Sequence, residues 1–333
     1  VVSFSIRTLG RATAGLALAG LAATPIAASL TLTGTSLLVA QPARADSNEI
    51  LLVSYAVTKA AYDKIIPLFV ADYKKKTGQT VRVKSSFGGS GSQTRAVIDG
   101  LEADVVGLAL AADVYKLQEK GLVNIGWERE LPNQSIITNS TVALFVRPGN
   151  PKTSGGARWN FAALWGSVTQ TGGGEDKAKN FITTVYKNVD VLPKDAREAT
   201  DTFVKRRKGD VLLNYENEAI LARKTGEWTE PVKIPSPNIL IEGPITVVDK
   251  NVNKHGTRKV AEAFARFLYT PAAQKAFVDN GFRPVTIEGK AYAQGKFPAV
   301  NTWRITKLGG WKVVDLKFFS KGGLWDEIFA KSR

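Results

Sequence analysis

Short apolar runs of strand length alternate along this sequence with amphipathic stretches of helix length. Together with Gly/Ser-rich turns where strand gives way to helix, they predict an α/β protein built on mostly parallel sheets. A third observation divides it into two lobes. The long run Ser140–Arg147 is suited to carry the chain out of a first lobe, and Gly243–Asp249 to bring it back. The expected division is lobe 1 from residues 46–138 and 243–333, and lobe 2 from residues 139–242.

The elements follow in order. Ile50–Tyr55 reads as a buried strand, and Thr58 is placed to cap a helix that runs to Lys76-Thr77-Gly78. Thr80–Ser85 alternates as a second strand and leads into Phe87-Gly88-Gly89-Ser90-Gly91-Ser92, a turn that delivers a hydroxyl and bare N–H groups to a helix start. That turn lacks both the Gly-Lys-Ser/Thr ending of a nucleotide loop and the spacing of a dinucleotide turn, which argues against a nucleotide ligand. Ala103–Leu110 is a third strand, followed by a helix from Ala111. In the second lobe, helical runs are expected at 177–188 and 199–208, a strand at 209–215, and a helix from Glu216. Thr257–Tyr269 and the stretch after Pro271 are amphipathic helices, and the aromatic tail (Trp303, Trp311, Phe318, Phe319, Trp325) is packing material.

Composition narrows the chemistry. The chain has 333 residues, 44% of them hydrophobic, enough for one large or two medium cores. It has no cysteine and a single histidine, His255, so thiol chemistry and a histidine metal cluster are excluded and a histidine-based triad is disfavoured. Lys254 and Gly256 beside His255 suggest a surface turn. Residues 1–45 read as a secretory signal peptide, with Arg7 and Arg11 ahead of a long Ala/Leu/Thr stretch and an Ala43-Arg44-Ala45 cleavage pattern, so the remainder is expected to be exported. Arg7, Arg11 and Arg44 supply three of the net +15, which leaves +12 for the remainder. The densest basic runs, Lys74–Lys76 and Lys205–Lys208, sit at apparent helix ends, where cations complement the dipole. No nucleic-acid partner is expected.

The stretch that carries most chemical promise is Thr153-Ser154-Gly155-Gly156-Ala157-Arg158-Trp159. A helix that starts on Ser-Gly-Gly offers a hydroxyl and unpaired N–H groups at its positive end, which suits an anion. An ordinary helix cap reads the same residues as well.

The order of these stretches resembles the periplasmic sulfate-binding proteins of ABC transporters, the sulfate/thiosulfate branch of the two-lobed solute-binding proteins. The resemblance rests on Val53-Ser54-Tyr55, Gly88-Gly89-Ser90-Gly91, Glu102–Val106, Gly149–Lys152, Ser154–Trp159, Gly209–Leu212, Glu216–Ala219, Val247–Lys250, Arg283-Pro284 and Gly309-Gly310-Trp311. It implies a type II periplasmic-binding-protein fold with the ligand in the cleft. The ligand is then sulfate or thiosulfate and the partner a membrane ABC permease; the protein is a monomer, without cofactor or metal, and not an enzyme. Position by position it implies as ligand contacts the N–H of Ala56, the hydroxyls of Ser90 and Ser154, and the N–H groups of Gly155, Gly156 and Ala196. Tyr215 stands where the family commonly has Trp. No acidic residue is among these contacts, which favours sulfate over hydrogen phosphate, whose proton would meet only donors. Other readings are a receptor for phosphate or molybdate, a hydrolase using Ser90 or Ser154 with Lys84 or Lys152 as base, or a binding-impaired member of the family. The last arises because relatives place a helix and a strand, on the order of 20 residues, between the hinge strand and Ser-Gly-Gly. Here Lys152 runs directly into Thr153. A junction of that kind removes a strand from the second lobe and predicts weakened binding.

Overall fold

In the computed structural model the described residues are 48–146, 154–189, 191–209, 211–230 and 232–332. The expected leader and the Lys152–Thr153 junction lie outside them. Strand β1 (Glu49–Tyr55) is buried along its second half and passes through a 3-10 turn at Ala56–Thr58 into α1 (Lys59–Thr77). Thr58 does not cap α1 as expected: its hydroxyl donates to the Tyr55 carbonyl at 2.6 Å. Gly78 ends the helix with φ of 75°, a conformation that favours glycine. Strand β2 (Arg82–Gly88), helix α2 (Ser90–Ile98), strand β3 (Val105–Gly107) and helix α3 (Ala111–Glu119) complete the first βαβ pattern.

Strand β4 (Ile136–Ser140) ends one residue before β5 (Val142–Val146), and the second region follows: α4 (Gly155–Thr169), α5 (Glu175–Lys187), α6 (Ala196–Val204), β6 (Leu212–Tyr215) and α7 (Glu216–Lys224). The short β7 (Asn238–Ile239) leads into β8 (Ile241–Val247). Helices α8 (Asp249–His255), α9 (Arg258–Phe267), α10 (Pro271–Asp279) and α11 (Ile287–Tyr292), strand β9 (Thr302–Trp303), and helices α12 (Gly310–Val314) and α13 (Leu324–Ser332) close the chain.

The main sheet has the order β2-β1-β3-β8-β4. β1 is parallel to β2 and β3, and β8 is antiparallel to both β3 and β4. It is therefore a mixed sheet with two parallel and two antiparallel pairings, where the apolar runs predict a mostly parallel one. The second region differs: among the described residues β5 and β6 form a two-stranded antiparallel pair, with Val142 opposite Tyr215. A parallel sheet there needs a neighbour for β6 that these residues do not supply.

The aromatic tail, which lies within residues 243–333, packs on α4 and α5. Trp311 stands edge-on to Trp159 at 4.7 Å, Phe318 lies 4.8 Å from Trp165, and Trp325 lies 4.7 Å from Tyr186. An ion pair from Lys179 to Glu327 fixes α13 against α5. His255 ends α8 ahead of the left-handed Gly256, as a surface turn does, and its Nδ1 and Nε2 lie 2.9 Å from Asp104 and Glu102 respectively.

Candidate functional site

Four chain segments end their extended stretch and begin a helix around one small cavity. Tyr55, Ala56, Gly88, Gly89, Ser90, Ala109, Ser154, Gly155, Gly156, Asp195, Ala196 and Tyr215 line it, together with Val57. All seven residues expected to hold a ligand are therefore in one place, although they span 160 positions of sequence. The cavity holds about 200 Å³ of space with the solvent at its mouth included. Sites for drug-sized ligands run to ~300–1,000 Å³, so this one suits a compact polyatomic ion.

Each helix start contributes in its own way. Gly155 and Gly156 are the first two residues of α4, whose N-cap Ser154 accepts a hydrogen bond from the Ala157 N–H at 3.3 Å. That bond uses the serine oxygen as acceptor and leaves its proton to be donated. The N–H groups of Gly155 and Gly156 have no partner within the helix, as for any first turn. Space requires glycine at Gly155 and leaves little room at Gly156. A Cβ on Gly155 would stand 2.6 Å from that of Ala109, and one on Gly156 would stand 3.1 Å from the Tyr215 ring. Ala196 opens α6 behind the N-cap Asp195, which accepts from the Glu198 N–H at 2.9 Å. Ala56 opens the turn that runs into α1. Tyr215 closes β6, and its buried hydroxyl has no hydrogen-bond partner. Burial pushes its pKa well above the usual range, so the group is a neutral phenol with a proton to give.

Ser90 behaves differently from expectation. Its hydroxyl donates to Asp113 Oδ2 at 2.6 Å and accepts from the Ala109 N–H at 3.0 Å. The single hydroxyl proton is committed to Asp113. What Ser90 offers the cavity is its main-chain N–H, the first of α2.

Behind Ser90 lies a network that sequence reasoning missed. Asp113 is fully buried, and Arg158 Nη2 donates to its Oδ1 at 2.5 Å. Arg158 Nη1 reaches Asp315 at 3.3 Å, and Lys116 lies 3.2 Å from the same carboxylate. Two acids and two bases balance, so the network adds no net charge behind the cavity. It ties the start of α4, the start of α2 and the tail together. The only sequence signal for it was a charged residue, Arg158, inside the apolar run Ala157–Leu164. The second omission is Asp195. It is not among the expected contacts, none of which is acidic, and it is part of the lining.

Set beside known proteins, residues 50–283 match the family model described as bacterial extracellular solute-binding protein. The chain belongs to that family. This solute-binding protein is 54% identical to a sulfate-binding protein of Synechococcus elongatus, with 84% of this chain and 86% of the relative covered. It is 36% identical to a thiosulfate-binding protein of Pseudomonas aeruginosa, over 92% and 97% of the two chains. Among solved structures, the sulfate-binding protein SubI from Mycobacterium tuberculosis matches with a TM-score of 0.73 and 33% identity, covering 82% of this chain and all of that one. The fold is the two-lobed α/β fold of type II periplasmic binding proteins.

The alignments carry a further fact about length. The first runs over 303 positions, while 84% of 333 residues is about 280; the second runs over 329 positions, while 92% is about 306. Each relative thus has about 23 positions within the matched span that this solute-binding protein lacks.

Proposed function

We propose that this protein is a periplasmic receptor that binds sulfate, or thiosulfate, as a dianion and delivers it to a membrane ABC permease. The observation that carries the reading is the convergence of four helix starts and one unpartnered tyrosine hydroxyl on a cavity that no lysine or arginine lines among the described residues. Each helix start presents roughly half a positive charge, and each hydrogen bond to an ion contributes ~1.5–3 kcal/mol. Donors supplied in this way hold a desolvated dianion without a counter-ion. The N–H groups of Ala56, Ser90, Gly155, Gly156 and Ala196 and the hydroxyls of Ser154 and Tyr215 are the proposed contacts.

The chain passes directly from β4 in the main sheet to β5 in the β5–β6 pair, and from β7 to β8 on its return. These crossings support hinges near residues 139–142 and 239–243, with lobe 1 from residue 46 to 138 and again from 243, lobe 2 between them, and the tail reaching across to lobe 2. Lobe closure over the ion is the conformational change that the permease reads. Residues 1–45 act as the export signal. The about 23 absent positions fall, in this reading, at Lys152–Thr153, and all seven expected residues line one cavity without them. That supports a competent receptor rather than an impaired one. The reading is of binding and not catalysis: Ser90 is engaged with Asp113, and the lone His255 is held by Glu102 and Asp104. The protein acts as a monomer, and its basic residues serve helix ends and ion pairs rather than nucleic acid.

A thermal-shift titration tests this. Sulfate should raise the melting temperature in step with RT ln(1 + [L]/Kd), with about 2.7 kcal/mol of added stability at 100 Kd. Phosphate should do so at higher concentration. An unmoved melting temperature at millimolar sulfate contradicts the reading.

A further inference from the structure

Asp195 stands at the mouth of the cavity. It lines the small cavity and also the wider, solvent-filled hollow in front of it, which Lys194, Arg197, Glu198, Asp201 and Arg206 surround. Its Oδ1 accepts from the Glu198 N–H at 2.9 Å, which places the carboxylate over the first turn of α6, beside the N–H of Ala196. No hydrogen bond to Oδ2 is present among the described residues. Ser154 occupies the equivalent N-cap of α4 with a neutral group whose proton is free. Both caps accept a hydrogen bond from their own helix, but they differ in charge: Ser154 keeps a hydroxyl proton to give, and Asp195 presents an anionic oxygen.

Two consequences follow from charge and proton count. A fixed negative charge at the mouth opposes entry of a dianion. A free carboxylate oxygen gives the proton of a singly protonated tetrahedral oxyanion somewhere to go, where donors alone would leave it unpaired. Tyr215 acts in the same direction, because its hydroxyl accepts as well as donates. We infer that Asp195 is a specificity-determining residue: its carboxylate lowers affinity for sulfate and admits hydrogen phosphate to the same cavity. This rests on the cavity being the anion site.

The test is calorimetric titration of the folded protein at neutral pH with sodium sulfate and with sodium phosphate, for the unaltered chain, Asp195→Asn and Asp195→Ser. Serine keeps a helix cap of the kind found at Ser154, so loss of α6 does not confound the result, and a thermal midpoint for each variant checks it. Both variants should bind sulfate about tenfold more tightly and phosphate more weakly, widening the ratio of the two dissociation constants by about two orders of magnitude. A ratio unchanged in both variants overturns the inference and leaves the cavity's role intact. If sulfate binds to none of the three proteins, the reading of the cavity falls and this inference falls with it.

Discussion

Gly155, Gly156 and Ser154 were legible in the sequence because a Ser-Gly-Gly helix start has few uses that need both a cap and close backbone approach. The structure supplies the approach: Ala109 and Ser90 press on one glycine and the Tyr215 ring on the other. Tyr215 was legible only through the resemblance, since a tyrosine at a strand end is otherwise core. Its orphaned, neutral hydroxyl leads to a sharp expectation. Tyr215→Phe removes one donor to the ion and should weaken sulfate binding by about 10–100-fold, the equivalent of one hydrogen bond to a charged group, while leaving thermal stability without sulfate unchanged or higher, because a buried unpaired group is lost. Unaltered affinity in a calorimetric titration contradicts a contact from Tyr215. Asp113 was not legible. Nothing in Ala111-Ala112-Asp113 distinguishes a buried ion-pair partner from an ordinary acidic residue in a first helical turn, because its partner Arg158 lies 45 positions away and the two meet only in the folded chain. The role given to the Ser90 hydroxyl was misread for the same reason.

Helices and main-sheet strands were legible as elements, since apolar periodicity reports burial directly. The partners of β6 were not, since pairing depends on which strands are present. α6 shows how an element carries more than its own pattern. Its Thr200 donates to the buried Glu218 of α7 at 2.7 Å, and its Arg197 reaches the same carboxylate at 3.3 Å. Burial raises the Glu218 pKa from 4.5 to about 7, against the opposing pull of Arg197 and Thr200. The folded protein therefore keeps a proton that the unfolded chain releases, and stability falls as pH rises from about 4.5 to about 7, by about 3 kcal/mol for the full shift. His255 adds to the trend. Burial lowers its pKa, but hydrogen bonds and charge from Asp104 and Glu102 outweigh that and raise it overall. Its contribution is complete below the ordinary histidine value and is lost as pH rises through the folded value. The lowered carboxylates Glu102 and Glu327 act below this window. Melting temperature should thus decline from pH 5 to pH 8, and Glu218→Gln should flatten the portion below pH 7. A melting temperature that rises over that range, or an unchanged slope in the variant, contradicts the account of Glu218.

At the scale of the whole molecule, the two-lobed plan was legible from two runs that cross between lobes, and the tail was not. Its aromatic residues read as core, yet nothing in their spacing says which core. The structure sets them on α4 and α5, with Asp315 completing the ion network behind the site. Helix α4 is thereby held from both sides, by Asp113 and by the tail, in a chain about 23 positions shorter than its relatives within the matched span. That support accounts for the cavity in a second region whose described residues form only the β5–β6 pair. A crystal structure of the protein with sulfate puts the central claim to its most direct test. The account predicts one ion in the cavity, within hydrogen-bond distance of the N–H groups of Ala56, Ser90, Gly155, Gly156 and Ala196 and the hydroxyls of Ser154 and Tyr215. A cavity without the ion at saturating sulfate, or an ion held elsewhere by lysine or arginine side chains, would contradict it.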